Sequence, residues 1–182
     1  MRVERIPYEQ TNFFSKFILD YLSGEACLSP FYHRAPKLSN FKAQIQEKQN
    51  QFVNRAVLVE ELSQQYSLID TTDSVTRNIQ SLLHENTFTV ATGHQLCLFT
   101  GPLYFIYKII TTINLSEQLK SEYPEYNFVP IYWMASEDHD FDEVNHVNLF
   151  GKTLQWNQDQ KGAVGVISTE SMQSLFNQLK PI

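Results

Sequence analysis

The sequence predicts an α/β fold in which a parallel-sheet core follows an N-terminal helical segment. Three observations carry this reading. Residues 1–86 repeat apolar side chains at helical spacing. From residue 87 the order becomes strand, long helix, strand, which is a βαβ unit. Its second strand, "FVPIYWMA", is almost continuously apolar, as a strand covered on both faces is. The helical segment is therefore assigned to 1–86 and the start of the core, with a β-hairpin insertion, to 87–182.

In "YEQTNFFSKFILDYLSG" the residues Phe13, Phe14, Phe17, Ile18, Tyr21 and Leu22 form a helical stripe, closed by Gly24 as C-cap. "ACLSPFYHRAP" is a loop punctuated by Pro30 and Pro36. Ser39 or Asn40 can cap the polar helix "FKAQIQEKQ". "RAVLVEELSQQYSLI" carries a stripe at Val57, Leu58, Leu62 and Tyr66. Thr72 or Asp73 starts "DSVTRNIQSLLHENT", with Val75, Ile79, Leu82 and Leu83 on one side. His33 and His84 read as ordinary surface or half-buried histidines.

The first strand runs from Phe88 to Thr92 and ends in Gly93. Gly101 marks a turn, and Pro102 suits the first helical position, where its missing N–H costs nothing. Leu103, Ile106, Tyr107, Ile110, Ile113, Leu115 and Leu119 then promise a broad buried helix surface. The crossover to "FVPIYWMA" is expected to be right-handed. Further on, "VNHVNLFGKTLQWN" reads as a hairpin around Gly151–Lys152, and "GAVGVIST" as another short strand. "STESMQSLFNQLK" reads as a helix capped by Ser168 or Thr169, with Met172, Leu175, Phe176 and Leu179 on its face. Trp133 and Trp156 are assigned to packing.

Net charge is -6, which gives no electrostatic case for nucleic acid or an anionic membrane as partner. No apolar run approaches the length that spans a bilayer, and the start lacks a signal-peptide core. Cys27 and Cys97 make neither a disulfide framework nor a CxxC site. A cytoplasmic location with reduced thiols is expected.

Chemistry concentrates at strand ends. Ligands of open parallel sheets bind at the carboxyl ends of strands. The first strand delivers Gly93, His94 and Gln95; the second delivers Glu137, Asp138, His139 and Asp140. Neighbouring parallel strands would set these groups side by side. The helix start near Thr100–Gly101 offers free N–H groups that favour an anion, and Lys108 adds a positive charge if it faces the site. His146 and Asn145 are placed at the margin of the same site. The bland alternative is a solvated loop in which Asp138 or Asp140 is only an N-cap. His139 between carboxylates suits general acid/base work. Acid/base catalysis, or hydrogen bonding to a polyhydroxylated ligand, is favoured over metal binding, because adjacent strand residues point to opposite faces. No metal is predicted. Cys97 has no evident histidine partner in the sequence and reads as a small buried apolar residue. Neither a P-loop nor a GxGxxG pattern occurs.

"TGHQLCLFTGPLYFIYKI" and "PIYWMASEDHDFDEVNH" strongly resemble the bacillithiol-synthesis cysteine-adding enzymes, BshC, and "FILDYLSGEACLSPFYHRAP" is similar to that family's opening segment. The family's "TGQQ" corresponds to Thr92–Gln95, with His94 in place of the commoner glutamine. Its "GLFTGPLY" corresponds to Cys97–Tyr104, with Cys97 where glycine is common. That second change bears on how closely the loop backbone approaches a ligand. The resemblance implies a Rossmann-like, nucleotidyltransferase-like core, followed in the family by a connector and a coiled coil absent from this chain, which looks like an N-terminal fragment. A homodimer, if one forms, would use that C-terminal region.

The implied reaction attaches L-cysteine to the amine of glucosaminyl-malate, giving bacillithiol. Both substrates are then the expected small-molecule partners, and ATP is the natural activator, although no motif shows it. On this reading His139, Asp140 and Asp138 are the catalytic candidates, one of them deprotonating the amine. Gly93, His94, Gln95, Thr100, Gly101, Tyr104, Lys108, Glu137 and Asn145 are the substrate-binding candidates. The alternative is a non-catalytic sugar- or nucleotide-binding module that uses the same strand-end pocket.

Overall fold

The computed structural model describes residues 4–179. The chain divides into two compact units, residues 1–50 and 51–182. The expected boundary at 86 and 87 falls inside the second unit, because the helices just before it pack on the sheet.

In the first unit, helix α1 spans Lys16–Ser23 and ends on Gly24 in the left-handed conformation. The helix begins later than the apolar stripe suggests. Asn12 has φ 56 and Ser15 occupies the cap position, so Phe13 and Phe14 precede the helix. Phe13 is 89% exposed. Helix α2 covers Phe41–Gln49, with Asn40 at the cap position but no side-chain cap bond. Asn40 Nδ2 instead donates to Ala35 O at 2.9 Å. His33 Nε2 and Arg34 Nη1 both meet Glu47 Oε2, at 2.8 and 2.6 Å.

The second unit opens with helices α3 (Arg55–Tyr66) and α4 (Asp73–Ser81). Asn54 caps α3 by accepting from Val57 N at 3.3 Å. Strands β1 (Thr87–His94) and β2 (Asn127–Met134) form a two-stranded parallel sheet, joined by helix α5 (Leu103–Glu122). Alternate residues of a strand face opposite sides. Val129 and Ile131 meet Val59, Ile79 and Leu82 of the α3–α4 layer. Tyr132 meets Phe105 of α5, ring centroids 5.5 Å apart. Arg55 ties the helical layer to the sheet, donating to Leu82 O at 2.8 Å and Thr87 O at 3.1 Å. The expected α3 stripe holds only at Leu62, which packs on the same cluster as the buried Val59, while Val57, Leu58 and Tyr66 are exposed. Coverage of β2 also stops before its end, leaving Trp133 63% exposed rather than packed.

The buried face of α5 matches the expected one only toward its C-terminal end. Of the expected residues Leu119 is buried and Leu115 half-buried, but Leu103, Ile106, Tyr107, Ile110 and Ile113 are exposed, and Thr112 and Ser116 are buried in their place. The hydroxyls of Thr112 and Ser116 tolerate burial because each donates to the carbonyl four residues earlier, at 2.9 Å.

After β2 come a short helix α6 (Phe141–Val144) and the antiparallel strands β3 (His146–Leu149) and β4 (Lys152–Gln155). Phe150 and Gly151 both have positive φ, 50 and 76, which is the turn that matches hairpin twist. The expected strand at "GAVGVIST" is a 3₁₀ turn, Val164–Val166. Here Gly165 N donates to Ser136 O at 2.8 Å, and Ser136 occupies the space of a Cβ, so tertiary contact overrides strand propensity. Helix α7 covers Gln173–Leu179. Leu98, Val147, Leu154, Trp156 and Leu175 form a buried cluster, edged by Phe99 and Phe141. This cluster fixes both the loop leaving β1 and the start of α6, the two segments that carry the strand-end chemistry. No helix of the described residues is long and apolar enough to cross a membrane.

Candidate functional site

The ladder runs in register from Thr87 opposite Asn127 to His94 opposite Met134. Ala135 N then donates to His94 O at 3.1 Å, so the two chains leave the sheet together. Tyr132 OH donates to the same carbonyl at 2.9 Å. The two strand ends therefore emerge at one rim. A cavity of about 270 Å³ there is lined by Gly93, His94, Gln95, Tyr104, Lys108, Ala135, Asp138 and Glu143. A second, of about 480 Å³, opens at the start of α5 between Gly101–Tyr104 and Glu143, His146, Val147 and Asn148. Tyr104 and Glu143 line both.

Glu143 is the hub of this arrangement. Gln95 Nε2 donates to Oε2 at 2.8 Å and Tyr104 OH to Oε1 at 3.3 Å. His94 Nε2 lies 3.5 Å from Oε1 and 2.9 Å from the Tyr104 oxygen. Burial, and then the Glu143 charge, raise the Tyr104 phenol above its ordinary pKa. Glu143 belongs to the acidic run noted in the sequence, but nothing there distinguished it from its neighbours.

Cys97 has the histidine partner that the sequence did not reveal. Its Sγ lies 3.3 Å from His94 Nδ1. With the ring proton on Nε2, the thiol donates to Nδ1, the ring to Tyr104, and Tyr104 to Glu143. With the proton on Nδ1, the ring donates to Gln95 O at 3.1 Å and the thiol turns to that carbonyl at 3.5 Å. Burial, then the Glu143 charge, push the thiol pKa up, and Lys108 opposes them. The chain beyond Cys97 is strained: Phe99, Thr100 and Gly101 have φ of 47, 73 and 62 in succession.

The remaining predicted residues have definite places. Asp138 Oδ1 accepts from His139 N at 2.7 Å and Asp140 N at 3.2 Å, folding its own loop. Asp140 caps α6, accepting from Glu143 N at 3.2 Å. The bland N-cap role thus belongs to Asp140, and through it Glu143 is set in position. Val164 N donates to Asp138 O at 2.7 Å and holds the loop from behind. Glu137 and His139 are exposed, and neither lines the two cavities. Asn145 is buried at 3% and engaged with Asp142 and His146. Thr100 is exposed outside both cavities, whereas Gly101 lines the larger one. Lys108 Nζ donates to Gly93 O at 3.2 Å and stands 5.4 Å over the Tyr104 ring. Among the described residues no three His, Cys, Asp or Glu side chains are grouped to hold a metal ion.

The start of α5 does open on a cavity, but Glu143 shares it. A carboxylate there offsets the attraction of free N–H groups for an anion. With a carboxylate and no Lys or Arg in its lining, this cavity does not fit a nucleotide phosphate.

The chain matches, over residues 1–181, the family described as "Bacillithiol biosynthesis BshC, N-terminal Rossmann-like domain". Curated relatives from Flavobacterium psychrophilum and Christiangramia forsetii are 51% and 54% identical to it over 99% and 94% of the chain. One from Cytophaga hutchinsonii is 42% identical over 99%. Each is named "Putative cysteine ligase BshC". The chain spans about a third of the length of these relatives, 33–34%. With a parallel βαβ core and strong identity along nearly its whole length, the chain belongs to the BshC family, as its N-terminal Rossmann-like domain.

Proposed function

We propose that this chain is the substrate-holding and proton-accepting part of a ligase that joins L-cysteine to glucosaminyl-malate, the last step of bacillithiol formation. The observation that carries the reading is Glu143, held by Gln95 and Tyr104 where two adjoining cavities share a wall. Condensing an amine with an activated carboxyl needs two substrates held against each other and a base for the amine proton. Two cavities with a common carboxylate supply both. Glu143 takes the role that the sequence assigned to His139 or Asp140. Asp140 acts through α6 as a positioning residue, and Asp138 shapes the rim. Activation of the cysteine carboxyl by ATP remains part of the proposal, and no step is assigned to it at these residues.

The test uses the full-length protein that carries this segment, supplied with glucosaminyl-malate, L-cysteine and ATP, with bacillithiol measured by mass spectrometry. Product from wild type, loss with Glu143→Ala and retention with His139→Ala support this assignment. Retention with Glu143→Ala removes Glu143 as the base. Absence of product from wild type removes the ligase reading.

A further inference from the structure

We infer that the smaller strand-end cavity is a site for an α-amino acid zwitterion, with Lys108 taking the carboxylate and the Gln95–Glu143–Asp138 wall taking the ammonium. The inference rests on the ligase reading only for its choice of L-cysteine as the guest.

Charge placement is the first support. Lys108 lines the cavity together with Asp138 and Glu143. None of the ion pairs among the described residues joins Lys108 to either carboxylate. Opposite charges that share a small cavity without closing on each other leave room for a bipolar guest between them. The Lys108 ammonium has three donors, of which the Gly93 carbonyl engages one.

The second support is independent of charge. Gln95 is 6% exposed, and its Oε1 is buried without a hydrogen-bond partner. Buried polar atoms are almost always paired, so an orphan acceptor on a residue that lines the cavity points to a donor that the protein itself does not supply. The other end of the same amide, Nε2, is fixed on Glu143, which settles which end is left over. An ammonium suits this wall, since it brings three donors to one neutral acceptor and two carboxylates.

Size agrees. At about 270 Å³ the cavity lies just below the roughly 300–1,000 Å³ of sites for drug-sized ligands, which fits a single amino acid. The larger neighbour of about 480 Å³ is left for the bulkier amine substrate.

The experiment titrates the full-length protein with L-cysteine, cysteamine and 3-mercaptopropionate, following heat or ligand-observed NMR. Cysteamine lacks the carboxylate and 3-mercaptopropionate lacks the ammonium. L-Cysteine binding roughly tenfold or more tighter than either is the expected result. Lys108→Met, at an exposed position that leaves the core intact, weakens L-cysteine to the level of cysteamine and leaves cysteamine unchanged. Gln95→Leu weakens both amines and spares 3-mercaptopropionate. The inference is overturned if L-cysteine fails to bind at millimolar concentration, if one-charged analogues match it, or if Lys108→Met leaves its affinity intact. Zwitterion-selective binding without bacillithiol formation sinks the ligase reading alone. Bacillithiol formation with KM for cysteine unmoved by Lys108→Met sinks this site alone.

Discussion

Gln95 Nε2 donates to Glu143 Oε2 at 2.8 Å across 48 positions of sequence, joining the end of β1 to the short helix after β2. One partner is buried, and the other keeps 43% of its side chain exposed. Solvent therefore screens part of the bond. A double-mutant cycle of Gln95→Ala and Glu143→Ala in urea denaturation should give a coupling of about 0.5–1.5 kcal/mol. A coupling indistinguishable from zero would mean that the contact does not hold Glu143 in place.

Gly101 is required by two separate constraints. Its φ of +62 disfavours any side chain, and an added Cβ would stand 2.6 Å from Cys97 Cβ and 2.9 Å from Sγ. Gly101→Ala should destabilise the protein by about 1–3 kcal/mol, read as a lowered urea midpoint. Cys97→Gly removes the clash and leaves the backbone cost. The double variant should therefore recover part of the loss, but not all of it. Full recovery would show that the positive φ carries no strain.

Much of this architecture is legible in the sequence because turn chemistry and strand character coincide. Gly101–Pro102 before a long periodic helix, followed by "FVPIYWMA", leaves a βαβ unit as the natural reading, and the adjacency of Gly93–Gln95 to the acidic run follows from parallel pairing. The buried face of α5 was legible only at Leu115 and Leu119, because apolar residues occupy most of the circumference of its first half, where periodicity alone selects no face. Glu143 was illegible for a related reason. Five carboxylates fall between Glu137 and Glu143, and only the short helix capped by Asp140 turns one of them back toward Gln95. The Cys97–His94 contact depends on how the chain turns through Gln95 and Leu96, which those residue types do not announce.

Leu175 and Phe176 lie together on the face predicted for the last helix, yet their burial differs. Leu175 is 0% exposed inside the cluster that anchors the β1 loop, and Phe176 is 45% exposed. Leu175→Ala should cost about 2–5 kcal/mol of stability, whereas Phe176→Ala should cost well under the roughly 3–5 kcal/mol of a core phenylalanine. Thermal or urea unfolding of the two variants reads the difference directly. Equal losses would place the core boundary elsewhere on α7.

The thiol of Cys97 should be slow to react at neutral pH despite its histidine neighbour. Burial disfavours the thiolate, the Glu143 charge disfavours it further, and Lys108 acts in the opposite direction. Only the thiolate is nucleophilic, so alkylation must wait for deprotonation. In a Cys27→Ser background, where Cys97 is the remaining cysteine among the 182 residues, the iodoacetamide rate should rise with pH through a midpoint above that of a free cysteine. Well below that midpoint the rate should climb about tenfold per pH unit. Glu143→Gln removes a repelling charge and should move the midpoint down. Lys108→Met removes the favourable one and should move it up. A midpoint at or below that of free cysteine would instead mean that His94, as imidazolium, holds Cys97 as a thiolate, and the neutral relay from Cys97 through His94 and Tyr104 to Glu143 would then have to be abandoned.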